Sequence, residues 1–120
     1  MARPRSFNED DVIDVTLRLF ANRGFNAASL DDLVEATGLL RGSIYKAFGS
    51  KLNLFLLGFK SCADSFDIEN ELHLDILTVA LRDLAEVDEQ TRELCKQIIQ
   101  NSDFSLNVKL GNNLIKRLEK

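Results

Sequence analysis

The chain has 120 residues, and none of its apolar runs approaches the roughly 20 residues that a membrane span requires, so a transmembrane protein is not expected. Its N-terminus, MARPRSFNEDD, lacks the apolar core of a signal peptide, and export is not expected either. Cysteine is scarce: Cys62 and Cys95 stand at no metal or redox spacing and read as small buried apolar side chains in a reducing, cytoplasmic setting. The single histidine, His73, stands near a helix start and reads as a solvated or capping residue. There is no glycine-rich phosphate loop, no nucleophile with a base and no pair of acids at catalytic spacing. Asp31 and Asp32 are adjacent, so on a helix they point about 100° apart, and no histidine accompanies them. Neither an enzyme nor a metal or cofactor is expected. Strand patterns are also missing, and the fold class is therefore all-α.

What is present is a succession of amphipathic helices with punctuation between them. Ser6 and Glu9 have the spacing of a capping box, and Glu9, Asp10 and Asp11 reinforce the start of a first helix running to Arg23. Its inward stripe is Ile13, Leu17 and Phe20, and Gly24 stops it. Phe25 follows as a core plug. Ser29 caps a short helix to Thr37 with Leu30, Leu33 and Val34 on one face, and Gly38 ends it. Leu39 folds under the turn. Ile44 and Phe48, four apart, then face inward from another short helix, leaving Tyr45 and Lys46 outward.

Two short helices joined by a glycine turn form a helix-turn-helix, in which the second helix enters the major groove of DNA. The stretch LLRGSIYKAFGSK, residues 39–51, carries Arg41, Lys46 and Lys51 and no acid. Together with LFANRGF and ASLDDLVEATG before it, this stretch resembles the DNA-binding domain of TetR-type (tetracycline-repressor-like) transcriptional regulators over residues 10–55. The resemblance implies that Ser29, Ser43, Tyr45, Lys46 and Lys51 touch phosphates and that Arg41 and Gly42 meet bases. Three positions depart from the family pattern. Leu40 replaces a Ser or Thr cap, Ala47 replaces an aromatic residue or His, and Gly49 stands where Pro is frequent. Arg3 and Arg5, flanking Pro4, are candidates for a minor-groove or phosphate arm.

The formal net charge of -4 would by itself argue against nucleic acid. Its distribution argues otherwise. Residues 1–51 hold seven cations (Arg3, Arg5, Arg18, Arg23, Arg41, Lys46, Lys51) against seven acids (Glu9, Asp10, Asp11, Asp14, Asp31, Asp32, Glu35), and the whole deficit lies in the remainder. Most of those seven acids stand in first turns of helices, where they suit the helix dipole, and local potential governs encounter with DNA.

The expected organisation is a helix-turn-helix head at 1–51 followed by a shortened helical dimerisation or regulatory region at 52–120. Ser50 caps a fourth helix to about Asp64, whose wide apolar face couples the two parts. A loop over Ser65 to Glu71 leads to a fifth helix ending near Glu86, and Asp88 caps a sixth. After a break at Asn101 to Asp103 comes a last segment interrupted by Gly111 and Asn112. Phe104, Val108, Leu114, Ile115 and Leu118 on it are candidate dimer contacts, exposed in a monomer. By the resemblance the chain is a cytoplasmic regulator, a repressor occluding a palindromic operator as a homodimer. The alternative is an interaction protein that keeps the fold but heterodimerises or no longer binds DNA. The family also binds small-molecule inducers. Residues 52–120 leave little volume for a pocket of about 300 Å³, which sets that expectation below the one for DNA.

Overall fold

Among the described residues, every α-helix start but one coincides with a side chain that accepts a backbone N–H. In the computed structural model, which describes residues 7–119, α1 spans Glu9–Arg23 and is capped by Asn8, whose Oδ1 accepts from the amides of Asp10 and Asp11 at 2.8 and 3.2 Å. The expected Ser6–Glu9 box involves Ser6, which lies outside the described residues; the cap that is described is Asn8, one residue before the helix. An Asn side chain at that point reaches the amides of the second and third helical residues directly. Arg3, Arg5 and Ser6 lie outside the described residues.

Helix α2 (Leu30–Thr37) and helix α3 (Arg41–Phe48) follow, and then α4 (Lys51–Asp64), capped by Ser50 through the Asn53 amide at 2.9 Å. Four aromatic rings close the centre of this part. Phe20 of α1, Phe25 after it and Phe55 of α4 have centroids 5.5–5.6 Å apart, and Phe55 continues to Phe59 at 5.6 Å. Helices α1 and α4 approach closely at Gly58. A Cβ there would lie 2.7 Å from Leu17 Cδ1, so glycine is what this crossing requires.

The second part contains α5 (Glu71–Val79), α6 (Glu89–Gln100) and α7 (Phe104–Lys116), capped by Asn70, Asp88 and Asp103 respectively. Two expectations need correction here. The fifth helix does not run on as α-helix to Glu86: residues Ala80–Leu84 form a π-helical turn, closed by the Ala85 amide on the Ala80 carbonyl at 2.9 Å. The inserted residue changes the direction in which Arg82 and Asp83 point. Gly111 and Asn112 do not interrupt the last helix, which runs through them. An open-sided cleft of about 570 Å³ lies between α1, α5 and α7, lined by Ala21, Asn22, Leu72, Asp75, Asn113 and Arg117 among others.

One apolar core runs without a break from Val12 in α1 to Leu106 in α7, across the 51/52 boundary. Cys62 and Cys95 are inside it, and burial pushes their thiols up to about 11 and about 12, so both remain protonated at neutral pH. His73 Nδ1 accepts from the Asp67 amide at 3.0 Å and its ring lies against Phe66, so its side chain holds the loop before α5, while the helix itself is capped by Asn70. Among the described residues no helix is long and apolar enough to cross a membrane.

Candidate nucleic-acid interface

The turn between α2 and α3 is built from the backbone outward. Ser29 Oγ accepts from the Asp32 amide at 3.0 Å while Asp32 Oδ2 accepts from the Ser29 amide at 2.9 Å, a reciprocal capping box. The hydrogen bond from the Ser29 amide holds the Asp32 carboxyl below its ordinary value. With its oxygen used as an acceptor, the Ser29 hydroxyl still has a proton to donate outward. At the far end Gly38 adopts φ 75°, a left-handed conformation that suits glycine, and its amide reaches Val34 O at 2.9 Å. Thr37 Oγ1 donates to Leu33 O at 2.7 Å and accepts from the Leu39 amide at 3.1 Å, which draws half-buried Leu39 beneath the turn.

Helix α3 is anchored by two side chains, Ile44 and Phe48, both buried, against Leu33 and the α4 core. Their placement leaves Tyr45, 48% exposed, and Lys46, Gly42 and Arg41 on the outside. Ser43 is half-buried at the edge. Leu40 is the N-cap residue and makes no side-chain cap, as its chemistry dictates, and it is 76% exposed. A Cβ added to Gly42 would meet nothing within 4 Å, so no packing inside the head calls for glycine there. The helix ends at Gly49 (φ 87°), and Asn53 Nδ2 takes up the Phe48 carbonyl at 2.7 Å.

Two of the candidate cations have partners within the head. Lys51 is drawn inward rather than left free for phosphate. Its Nζ donates to the carbonyls of Phe25 and Ala28 at 2.9 and 3.0 Å and lies 4.4 Å from the centre of the Phe25 ring. Desolvation lowers its pKa, and the nearby Asp83 charge only partly offsets that. The physical reason is the loop 24–28, whose carbonyls have no helical partners and lie within reach of the first turn of α4. Arg41 donates through Nη2 to Asp31 Oδ1, an ion pair between first turns of the two helices.

The same loop is held from the other side by residues that no local pattern marks. Asp83 Oδ2 accepts from the Phe25 amide at 2.8 Å and the Asn26 amide at 3.4 Å, while Arg82 Nε donates to its other oxygen at 2.8 Å. Burial pushes the Asp83 carboxyl up, but the Arg82 hydrogen bond and charge and the two amides outweigh it and hold it below its ordinary value. Gly24 (φ 88°) completes the arrangement, because a Cβ there would run into the Arg82 guanidinium. Asp83 lies 58 residues from Phe25 in the chain, and without the π-helical turn its direction is not readable from sequence.

The five candidate dimer residues Phe104, Val108, Leu114, Ile115 and Leu118 are all exposed, while Leu106 and Asn113 on the opposite side of α7 are buried. Arg117 beyond α7 donates to the Ala21 carbonyl at 2.8 Å, joining the end of the chain to the end of α1.

A capped positioning helix, a glycine turn and a recognition helix with its apolar side buried and its cationic side outward define a helix-turn-helix domain. Residues 12–57 match the sequence model of "Bacterial regulatory proteins, tetR family", and this head is similar to that family over those residues. Among relatives, the HTH-type transcriptional repressor ComR of Escherichia coli is 38% identical over 72 residues, 60% of this chain and 34% of ComR. IcaR of Staphylococcus aureus, named as the negative transcriptional regulator of the biofilm operon icaADBC, is 30% identical over 56 residues, 47% of this chain and 30% of IcaR. The match thus spans about a third of the length of these curated relatives. No solved structure matches the chain.

Proposed function

We propose that the chain is a DNA-binding transcriptional regulator, acting as a repressor in the cytoplasm, that occupies a palindromic operator as a homodimer. The observation that carries this reading is the outer row of α3: Arg41, Gly42, Tyr45 and Lys46 face solvent on a helix whose inner side is fully used by Ile44 and Phe48. Lys46 suits phosphate as a point charge, and Tyr45 offers a hydroxyl to a phosphate or base edge. Arg41 carries the planar fork that recognises a guanine edge. Gly42 has no internal reason to lack a side chain, and close approach of the helix to the duplex supplies one. Ser29 and Ser43 add hydroxyls for phosphates on either side. The names of the relatives, a repressor and a negative regulator, support the direction of regulation.

Lys51 enters this reading as a positioning residue. It holds the loop that presents Ser29, with Asp83 gripping the same loop from the body. A small molecule in the cleft beside Ala21 and Arg117 would act on the contact between α1 and α7 and so on the tilt of the head. The homodimer reading rests on α7. Positions 104, 108, 111, 115 and 118 are spaced 4-3-4-3, the seam of a coiled coil, and carry Phe, Val, Gly, Ile and Leu on the face away from the core. Within α7, Ser105, Asn107, Asn112 and Leu114 flank this seam without charge, and Glu119 flanks Leu118 just beyond the helix.

A mobility-shift titration with mixed-sequence duplex at low and moderate salt tests the DNA reading. The expected result is weak binding that falls steeply with salt. Absence of any salt-sensitive binding would leave the fold without this function and favour a partner-binding role.

A further inference from the structure

We propose that Asp31 determines base selectivity by holding the guanidinium of Arg41, while lowering affinity for duplex of any sequence. This rests on the DNA-binding reading above and adds to it a residue that contributes no cation and no cap. The capping work at the start of α2 is done by Ser29 and Asp32, which leaves the Asp31 carboxylate free to face α3. Arg41 is the first residue of α3, and that helix start has no side-chain cap and no acid in its first turn. A cation there sits unfavourably against the helix dipole, and Asp31 is the anion that offsets it.

The geometry has a consequence for readout. Arg41 has several single bonds, and unrestrained it would follow the nearest phosphate, which carries no sequence information. Pairing through Nη2 with a carboxylate on the neighbouring helix biases the planar fork towards one orientation and leaves Nε and Nη1 for another partner. The carboxylate itself repels phosphate, so the pair suits a base edge better than the backbone. Both side chains are largely open to solvent, at 56% for Arg41 and 83% for Asp31, so the pair adds little to stability but is available at the surface that meets DNA.

The test uses selection from a randomised duplex pool with wild type, D31A, D31N and R41A, each also titrated on mixed-sequence duplex, with circular dichroism as a check of folding. The expected result is that D31A loses about tenfold of base preference at the same position where R41A loses it. Its affinity for mixed duplex is expected to stay equal or rise about threefold. D31N, which keeps an acceptor without the charge, is expected to retain part of the preference. The proposal is overturned if D31A selects the wild-type sites, or if it loses affinity equally on all sequences. Failure of the wild type to bind duplex in a salt-dependent way would instead defeat the DNA reading itself, and this inference with it.

Discussion

Single side chains in the head divide into those that hold the loop and those that face outward, and the division makes different predictions for similar cations. Lys46 makes no claim on the interior, so Lys46→Ala is expected to leave folding unchanged and weaken binding on every duplex. Its slope of log affinity against log salt is expected to fall by about 1. An unchanged slope, measured by fluorescence anisotropy across salt, would remove Lys46 from the phosphate contacts. Asp83 is a holding residue with a lowered pKa, so it takes up its proton less readily folded than unfolded. Its stabilising contribution is present above the ordinary value of 3.8 and is lost as pH falls through the lower, folded value. Denaturation midpoints measured from neutral pH into acid are expected to fall less steeply below about pH 4 for Asp83→Asn than for wild type. Equal steepness in both proteins would mean that the carboxylate is not linked to folding.

The helices were largely legible because their signals are local. Ser29, Gly38, Ser50, Asp88 and the spacing of Ile44 and Phe48 each act within a turn or two, and the structure uses them as their chemistry suggests. Other features depend on partners far along the chain. Nothing near Lys51 says that carbonyls 23 and 26 residues earlier will take its protons, and nothing near Ala80 announces a π-helical turn. The pairing of Asp31 with Arg41 was hidden for the same reason, since it exists only once α2 and α3 cross. Gly42 is the element-scale test of the outer row. A glycine inside a helix destabilises by about 0.5–1 kcal/mol relative to alanine, and no neighbour would obstruct the added methyl. Gly42→Ala is therefore expected to raise the unfolding midpoint and to weaken duplex binding at once. A variant that gains stability and binds as before would show that the helix does not approach DNA at that point.

At the scale of the molecule, one recognition helix reads only a few base pairs, and two reach successive grooves when held about 34 to 36 Å apart. The exposed seam on α7 is short: 13 residues of helix span about 20 Å, and a strip of that length about 10 Å wide covers about 200 Å², small against the roughly 800 Å² per partner of a stable complex. Self-association through it is expected to be weak, in about the micromolar range, and to strengthen when duplex gathers two copies. Ile115→Glu places a charge in this seam near its C-terminal end, away from the core. Sedimentation is expected to show wild type shifting towards dimer with concentration while this variant stays monomeric with an unchanged melting curve. A variant that dimerises as before would move the interface off α7.

The account stands on the outward edge of α3 being the surface that meets DNA, and amide chemical-shift mapping of the chain during titration with a short duplex tests that surface directly. The expected result is that perturbations gather at residues 29–31 and 41–46 and fade as salt is raised. Perturbations centred on α7 or on the cleft between α1 and α5, with α3 unmoved, would contradict it.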